Sequence, residues 1–174
     1  MSSAKFQLAL VTGATAGIGC AVSLLLARQG VTVALVARSR EKLATLSQEI
    51  EEGGGRCVVM ECDLTKREDI VRMAASLKEK IGVPDLIINN AGAYYFQRFE
   101  DRDYDSWERM INLNIMAYLV IIAEFLGDMK VTSIEKSLVA NRCVLNPALS
   151  LLNQYLIICL PIHIGLITIM TDDL

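Results

Sequence analysis

Leu8-Ala9-Leu10-Val11-Thr12-Gly13-Ala14-Thr15-Ala16-Gly17-Ile18-Gly19 is an apolar run of strand length that empties into a glycine-spaced turn, and an apolar helical stretch over 20–29 follows it at once. The combination predicts a cradle for the phosphates of a nucleotide. Gly13 permits a sharp turn at the end of the strand, Gly17 lets the backbone come close to a pyrophosphate, and Gly19 allows tight helix–strand packing. The free N–H groups at the helix start then face the anion. The spacing is G-x-x-x-G-x-G, not the G-x-G-x-x-G of the commonest dinucleotide fingerprint. By itself it therefore names no enzyme, and a plain glycine-rich turn is the alternative.

Outward from this stretch the chain alternates strands with helices. Residues 31–37 form a continuous β-branched apolar run, as a parallel strand buried on both faces requires. Ser39 is placed to cap the amphipathic helix that follows, in which Leu43, Leu46 and Ile50 recur at helical spacing until Gly53-Gly54-Gly55 stops it. Residues 57–62 read as a third strand, and Asp63-Leu64-Thr65 ends it and caps a helix over about 66–81. A fourth strand over 84–90 opens into Ala91-Gly92. After a loop holding Tyr94, Tyr95, Phe96 and Phe99, a long helix starts near Asp103 or Asp105 and ends at Lys130, with Asn112 and Asn114 embedded in its apolar spacing. The expected class is α/β: a Rossmann-like, doubly wound parallel sheet in the order 3-2-1-4, truncated after the fourth strand and its helix.

The 174 residues suffice for one domain with a proper core, and 53% of them are hydrophobic. Seventeen basic and 20 acidic side chains leave a net charge of −3 without any Lys/Arg run, which excludes nucleic acid as a partner class. Cys20, Cys57, Cys62, Cys143 and Cys159 show neither a C-x-x-C pair nor a zinc spacing. They read as reduced thiols in a cytoplasmic protein, with no metal site and no secretion signal at the N-terminus. Charge is uneven: every Lys and Arg lies at or before Arg142, and Asp172 and Asp173 are the only charges among the last 32 residues. Residues 1–130 are thus expected to form a partial nucleotide-binding domain and 131–174 a divergent apolar tail. Three fates are open to the tail: a membrane anchor, a substitute strand or helix covering the sheet edge, or a disordered segment. The anchor is disfavoured because the dense apolar part, 155–170, falls short of the roughly 20 residues a span needs, and Pro161, His163 and Gly165 interrupt it. His163, the single histidine, has no partner spacing for a ligand or base.

Four features stand in order: Thr12-Gly13-x-x-x-Gly17-x-Gly19, Asp63 after strand three, Asn89-Asn90-Ala91-Gly92 after strand four, and Asn112-Leu113-Asn114 in the next helix. Together they resemble the short-chain dehydrogenase/reductase family over about residues 7–130. The resemblance implies cofactor contacts from Gly13, Thr15, Gly17, Ile18 and Gly19 to the phosphates, and from Asp63 and the Leu64 backbone to the adenine. Asn90, Ala91 and Gly92 would line the ribose and nicotinamide side, and Asn114 would support the catalytic water relay. A helix cap at Asp63 and an ordinary turn at 90–92 are the plainer alternatives. At the end of strand two, where an NAD enzyme places a carboxylate, this chain has Ala37 followed by Arg38 and Ser39. No carboxylate repels a 2′-phosphate and Arg38 offers a fork that fits one, so NADP (NADPH) is preferred over NAD. A solvated surface arginine is the alternative.

The family's remaining catalytic groups are a Tyr, a Lys four residues later and a Ser. The residues four before each lysine are Met1, Arg38, Cys62, Ala74, Ser76, Leu126 and Thr132, so the sequence contains no Tyr-x-x-x-Lys. Ser133 and Ser137 follow no strand of the expected kind. The resemblance implies an NADP-dependent oxidoreductase that moves a hydride between nicotinamide and a small carbonyl or alcohol substrate, with this chain itself, a truncated form, inactive. The alternative is a non-catalytic nucleotide-binding or interaction protein, a homo- or hetero-oligomer formed through the 105–130 helix.

Overall fold

A computed structural model describes residues 6–94, 98–132, 138–141 and 156–159. Its elements are β1 (Leu8–Thr12), α1 (Gly17–Arg28), β2 (Thr32–Ala37), α2 (Arg40–Glu52), β3 (Arg56–Glu61), α3 (Arg67–Lys80), β4 (Leu86–Asn89), α4 (Tyr104–Ile111), α5 (Ala117–Thr132), β5 (Leu138–Asn141) and β6 (Leu156–Cys159). One parallel sheet contains all the strands in the order β3-β2-β1-β4-β5-β6. The first four follow the expected 3-2-1-4 order. Beyond them the tail lays two four-residue strands along the open side of β4, with Leu86 opposite Leu138 and Leu138 opposite Leu156. At those residues the chain pairs along the side of β4 that faces away from β1. Arg142, Cys143, Pro161, His163, Gly165, Ser133, Ser137, Tyr95 and Phe96 lie outside the described residues.

Strand alternation divides the core in two. On one face Leu10, Val36 and Ile87 pack with Ile70, Met73 and Leu77 of α3 and Ile121, Phe125 and Met129 of α5. On the other, Val11, Val33 and Leu35 pack with Ala27 of α1 and Leu43, Leu46 and Ile50 of α2. β1 and the last five residues of β2 are buried throughout, which is why their sequences are continuous apolar runs. Ile121 and Phe125 are fully buried, each such side chain stabilising by about 1.5–3 kcal/mol. Lys78 ties α3 to α5, with Nζ 3.0 Å from the Asp128 carboxylate and donating to the Glu124 carbonyl at 3.1 Å. Tyr104–Met129 is long and apolar enough to cross a membrane, yet its inner side carries these same core residues.

Three local expectations need correction. α1 begins at Gly17, not near residue 20, so Gly17 and Gly19 belong to its first turn. The long helix is interrupted: α4 passes through a π turn, Asn112–Met116, into α5. Asp63 does not cap α3, whose N-cap is Lys66; its carboxylate instead accepts from the Thr65 N–H at 3.1 Å and the Thr65 hydroxyl at 2.8 Å, closing a local turn. Ser39 does cap α2 as expected, accepting from the Lys42 N–H at 3.3 Å. Cys20, Cys57 and Cys62 are free thiols, of which Cys62 is buried.

Candidate nucleotide site

Two loops meet at the C-terminal end of the sheet, where parallel α/β sheets bind ligands. The first follows β1. Gly13 (φ +63°) and Gly17 (φ +53°) both take left-handed backbone, and the Ala14 N–H donates to the Val36 carbonyl at 3.3 Å, fastening the turn to β2. A Cβ at Gly19 would stand 2.3 Å from the Gly13 carbonyl oxygen and 2.5 Å from Asn90 Nδ2, so the helix can approach this loop only as glycine. Gly17 differs: a Cβ there would meet nothing within 4 Å. Its glycine answers to the backbone angle and leaves the space above it open. α1 has Ala16 as its N-cap, with no side-chain cap hydrogen bond and no acidic residue in its first turn. The positive end of the helix therefore has no compensating carboxylate within its own first turn. Thr15 is half-buried in this loop, and Ile18 is 56% exposed on the first turn.

The second loop follows β4 and is stapled to the first by Thr12. That buried hydroxyl accepts from the N–H groups of Asn90 (2.9 Å) and Ala91 (3.0 Å) and donates to the Ile88 carbonyl (3.3 Å). Asn90 returns the tie, its side-chain amide donating to the carbonyls of Thr12 (3.0 Å) and Gly13 (3.3 Å). The Asn90 side chain is thus engaged inside the protein, which leaves the backbone of 90–92 as the wall of the site. Asn114 lies within the π turn, a feature common at functional sites. It brackets one peptide residue, Oδ1 accepting from the Ala93 N–H at 3.1 Å and Nδ2 donating to the Ala93 carbonyl at 2.8 Å. Tyr118, one turn further on, donates its hydroxyl to the Ala91 carbonyl. Sequence reading passed over Thr12 and Tyr118 as residues of the site. The available signals were a hydroxyl at the buried end of an apolar strand, and a phenol four residues after Asn114 in an apolar helix.

At the ends of β2 and β3 a cleft of about 310 Å³ is lined by Arg38, Glu61, Cys62, Asp63 and Asp69. Arg38 is exposed, so its guanidinium is available to a ligand. Burial pushes the Asp63 carboxyl upward, but the Thr65 hydrogen bonds and the Lys66 and Arg38 charges outweigh it and hold it below its ordinary value. Cys62 goes the other way: burial, reinforced by Asp69 and Asp63 and opposed by Arg72, pushes its thiol up to about 12. Its thiolate is therefore disfavoured, and it forms part of the cleft wall. Leu64 is 5% exposed with its side chain in the core, so only its backbone can reach a ligand. Ser39 is half-buried beside Arg38.

A sequence model described as short chain dehydrogenase matches residues 7–141, which reaches past residue 130 to the end of β5. An uncharacterized oxidoreductase of Staphylococcus saprophyticus is 34% identical over 124 residues, 71% of this chain and 53% of that protein. Among solved structures, a metagenomic short-chain oxidoreductase in complex with NADP superposes with a TM-score of 0.74 at 31% identity, covering 78% of this chain and 61% of that one. An alcohol dehydrogenase of Thermococcus sibiricus complexed with 5-hydroxy-NADP gives 0.72 at 31% identity, covering 78% and 57%. The chain spans about half the length of most of the relatives it matches.

Proposed function

Because the chain belongs to the short-chain dehydrogenase family, we propose that its two loops bind a nicotinamide dinucleotide, with NADP preferred over NAD. The observation that carries the reading is the uncapped N-terminus of α1 below the open space at Gly17. Backbone N–H groups there hold the pyrophosphate, with the Thr15 hydroxyl and the backbone around Ile18 beside them. Arg38 takes the 2′-phosphate with Ser39 next to it, and Asp63 with the Leu64 backbone holds the adenine. Asn90, Ala91 and Gly92 line the ribose and nicotinamide side. The NADP ligands of the two similar structures agree with this choice.

The bound cofactor supplies a hydride for a small carbonyl substrate or accepts one from an alcohol. Protonation of the carbonyl oxygen needs an acid, and these 174 residues contain no Tyr-x-x-x-Lys to provide it. Asn114 is the one family catalytic position retained. We therefore assign the chain cofactor binding without appreciable turnover. The exposed stripe of Ile111, Ile115, Met116 and Leu119, 43–52% accessible, gives it a face for a second subunit. A cytoplasmic location, where its free thiols stay reduced, goes with this reading.

Unfolding of the purified chain with each cofactor is the test. NADPH at about 100 times its Kd should add roughly 2.7 kcal/mol of stability, and NADH much less at equal concentration. Arg38→Glu should weaken NADPH at least tenfold and leave NADH nearly unchanged, since a charge-assisted contact contributes about 1.5–3 kcal/mol. Indifference to both cofactors would overturn the binding assignment, and oxidation of NADPH at rates ordinary for enzymes, at least about 1 s⁻¹, would overturn the inactive one.

A further inference from the structure

Tyr118 is 5% exposed, in the core that the sheet forms with α3 and α5. A phenol buried there must recover the hydrogen bond it gives up to water. It does so at the Ala91 carbonyl, in the loop that walls the cleft. The Ala91 peptide is consequently held from both sides, its N–H by Thr12 Oγ1 at 3.0 Å and its carbonyl by Tyr118. Ala93 is held from both sides by Asn114 alone. Gly92 lies between these anchored residues and is exposed, and a Cβ on it would stand 2.8 Å from Asn114 Oδ1 and 3.7 Å from the Tyr118 hydroxyl.

The geometry points to Tyr118 as a positioning residue for the nicotinamide side of the site, acting through the Ala91 carbonyl on the backbone at Gly92. The inference rests on the dinucleotide-binding reading above. The brace is local, because the adenosine side is built from Arg38 and Asp63 at the ends of β2 and β3, on the far side of β1 from β4. Removing the hydroxyl should loosen one end of the cofactor site and leave the other as it was.

Tyr118→Phe keeps the ring and removes the bond. Binding of NADPH and of 2′,5′-ADP, which carries the adenosine and its 2′-phosphate but no nicotinamide, is measured by titration on the full chain. The Kd for NADPH should rise about three- to tenfold, the range for one buried hydrogen bond, while that for 2′,5′-ADP stays within twofold. Retained 2′,5′-ADP binding also shows that the variant is folded. Equal weakening of both ligands, or unchanged NADPH binding, overturns the positioning role while the proposed function stands. A wild-type chain that binds neither ligand overturns the proposed function and this inference with it.

Discussion

The loops after β1 and β4 face each other across Thr12 and are fixed by opposite means. The first keeps its shape because side chains are missing: Gly13 and Gly17 take positive φ, and Gly19 lets the helix settle on the Gly13 carbonyl. The second keeps its shape because side chains are present: Thr12, Asn114 and Tyr118 hold the peptide groups of residues 90–93 from behind. A backbone that offers its own N–H groups to an anion has to be bare. A wall that has only to stay in place is better braced by side chains that hydrogen-bond its peptide groups.

The comparison breaks most severely at Gly19, the point where the bare loop is packed and not open. Gly19→Ala puts a methyl into the Gly13 carbonyl and the Asn90 amide, neither of which can withdraw without undoing the tie between the loops. The stability of the chain should fall by about 3 kcal/mol, read as a shift in the urea midpoint at constant slope. A midpoint within experimental error of the parent would mean that the helix and loop can separate freely, and the account of the first loop would be lost.

Thr12→Val tests the braced loop next. The shape is preserved, but the N–H groups of Asn90 and Ala91 lose their shared acceptor in a buried place. The expected cost is about 2 kcal/mol, and Thr12→Ser, which keeps the oxygen, should recover most of it. A valine variant as stable as the serine variant would show that packing, not hydrogen bonding, joins the loops.

Gly17→Ala sharpens the contrast within the first loop itself. No atom lies within 4 Å of the added methyl, so stability should fall only by the strain of a side chain at positive φ, about 1 kcal/mol. NADPH binding should fall by far more than that strain explains if, as proposed, the open space at Gly17 takes the pyrophosphate. Titration of the folded variant decides it: full affinity would show that the open space at Gly17 is not where the ligand sits.

What the sequence revealed divides along the same line. Gly13, Gly17 and Gly19 were legible because a bare loop announces itself in one contiguous stretch, and Arg38 because it stands at a fixed place after an apolar strand. The brace is written across distance: Thr12 meets Asn90 78 positions away, and Tyr118 meets Ala91 27 away. Nothing local to either residue records its partner. Asn114 was found through the order of the four motifs, but the π turn that contains it follows no residue pattern. The short strands Leu138–Asn141 and Leu156–Cys159 escaped for another reason. Four residues, Leu-Val-Ala-Asn in the first and Leu-Ile-Ile-Cys in the second, are too few to show a period, and their pairing becomes apparent only once β4 presents an open edge.

Asp63 gives the smallest effect and bears on the cleft at the ends of β2 and β3, where the adenosine is proposed to lie. Its carboxyl titrates below its ordinary value in the folded chain, burial being outweighed by the two Thr65 hydrogen bonds and by Lys66 and Arg38. A carboxyl whose folded pKa lies below its unfolded value, about 3.9, stabilises the fold at every pH above that value. The contribution is lost as pH falls through the folded pKa, because the unfolded chain takes up its proton first. Asp63→Asn should therefore lower stability slightly at neutral pH, and the difference from the parent should shrink below about pH 4. With the side chain 29% exposed, the solvent-screened effect at neutral pH is under about 1 kcal/mol. Unfolding curves at pH 7 and pH 3 read the difference directly. A gap that stays constant between them would mean that the Asp63 turn is held by its shape and not by its charge, and that Arg38 owes nothing to the carboxylate beside it.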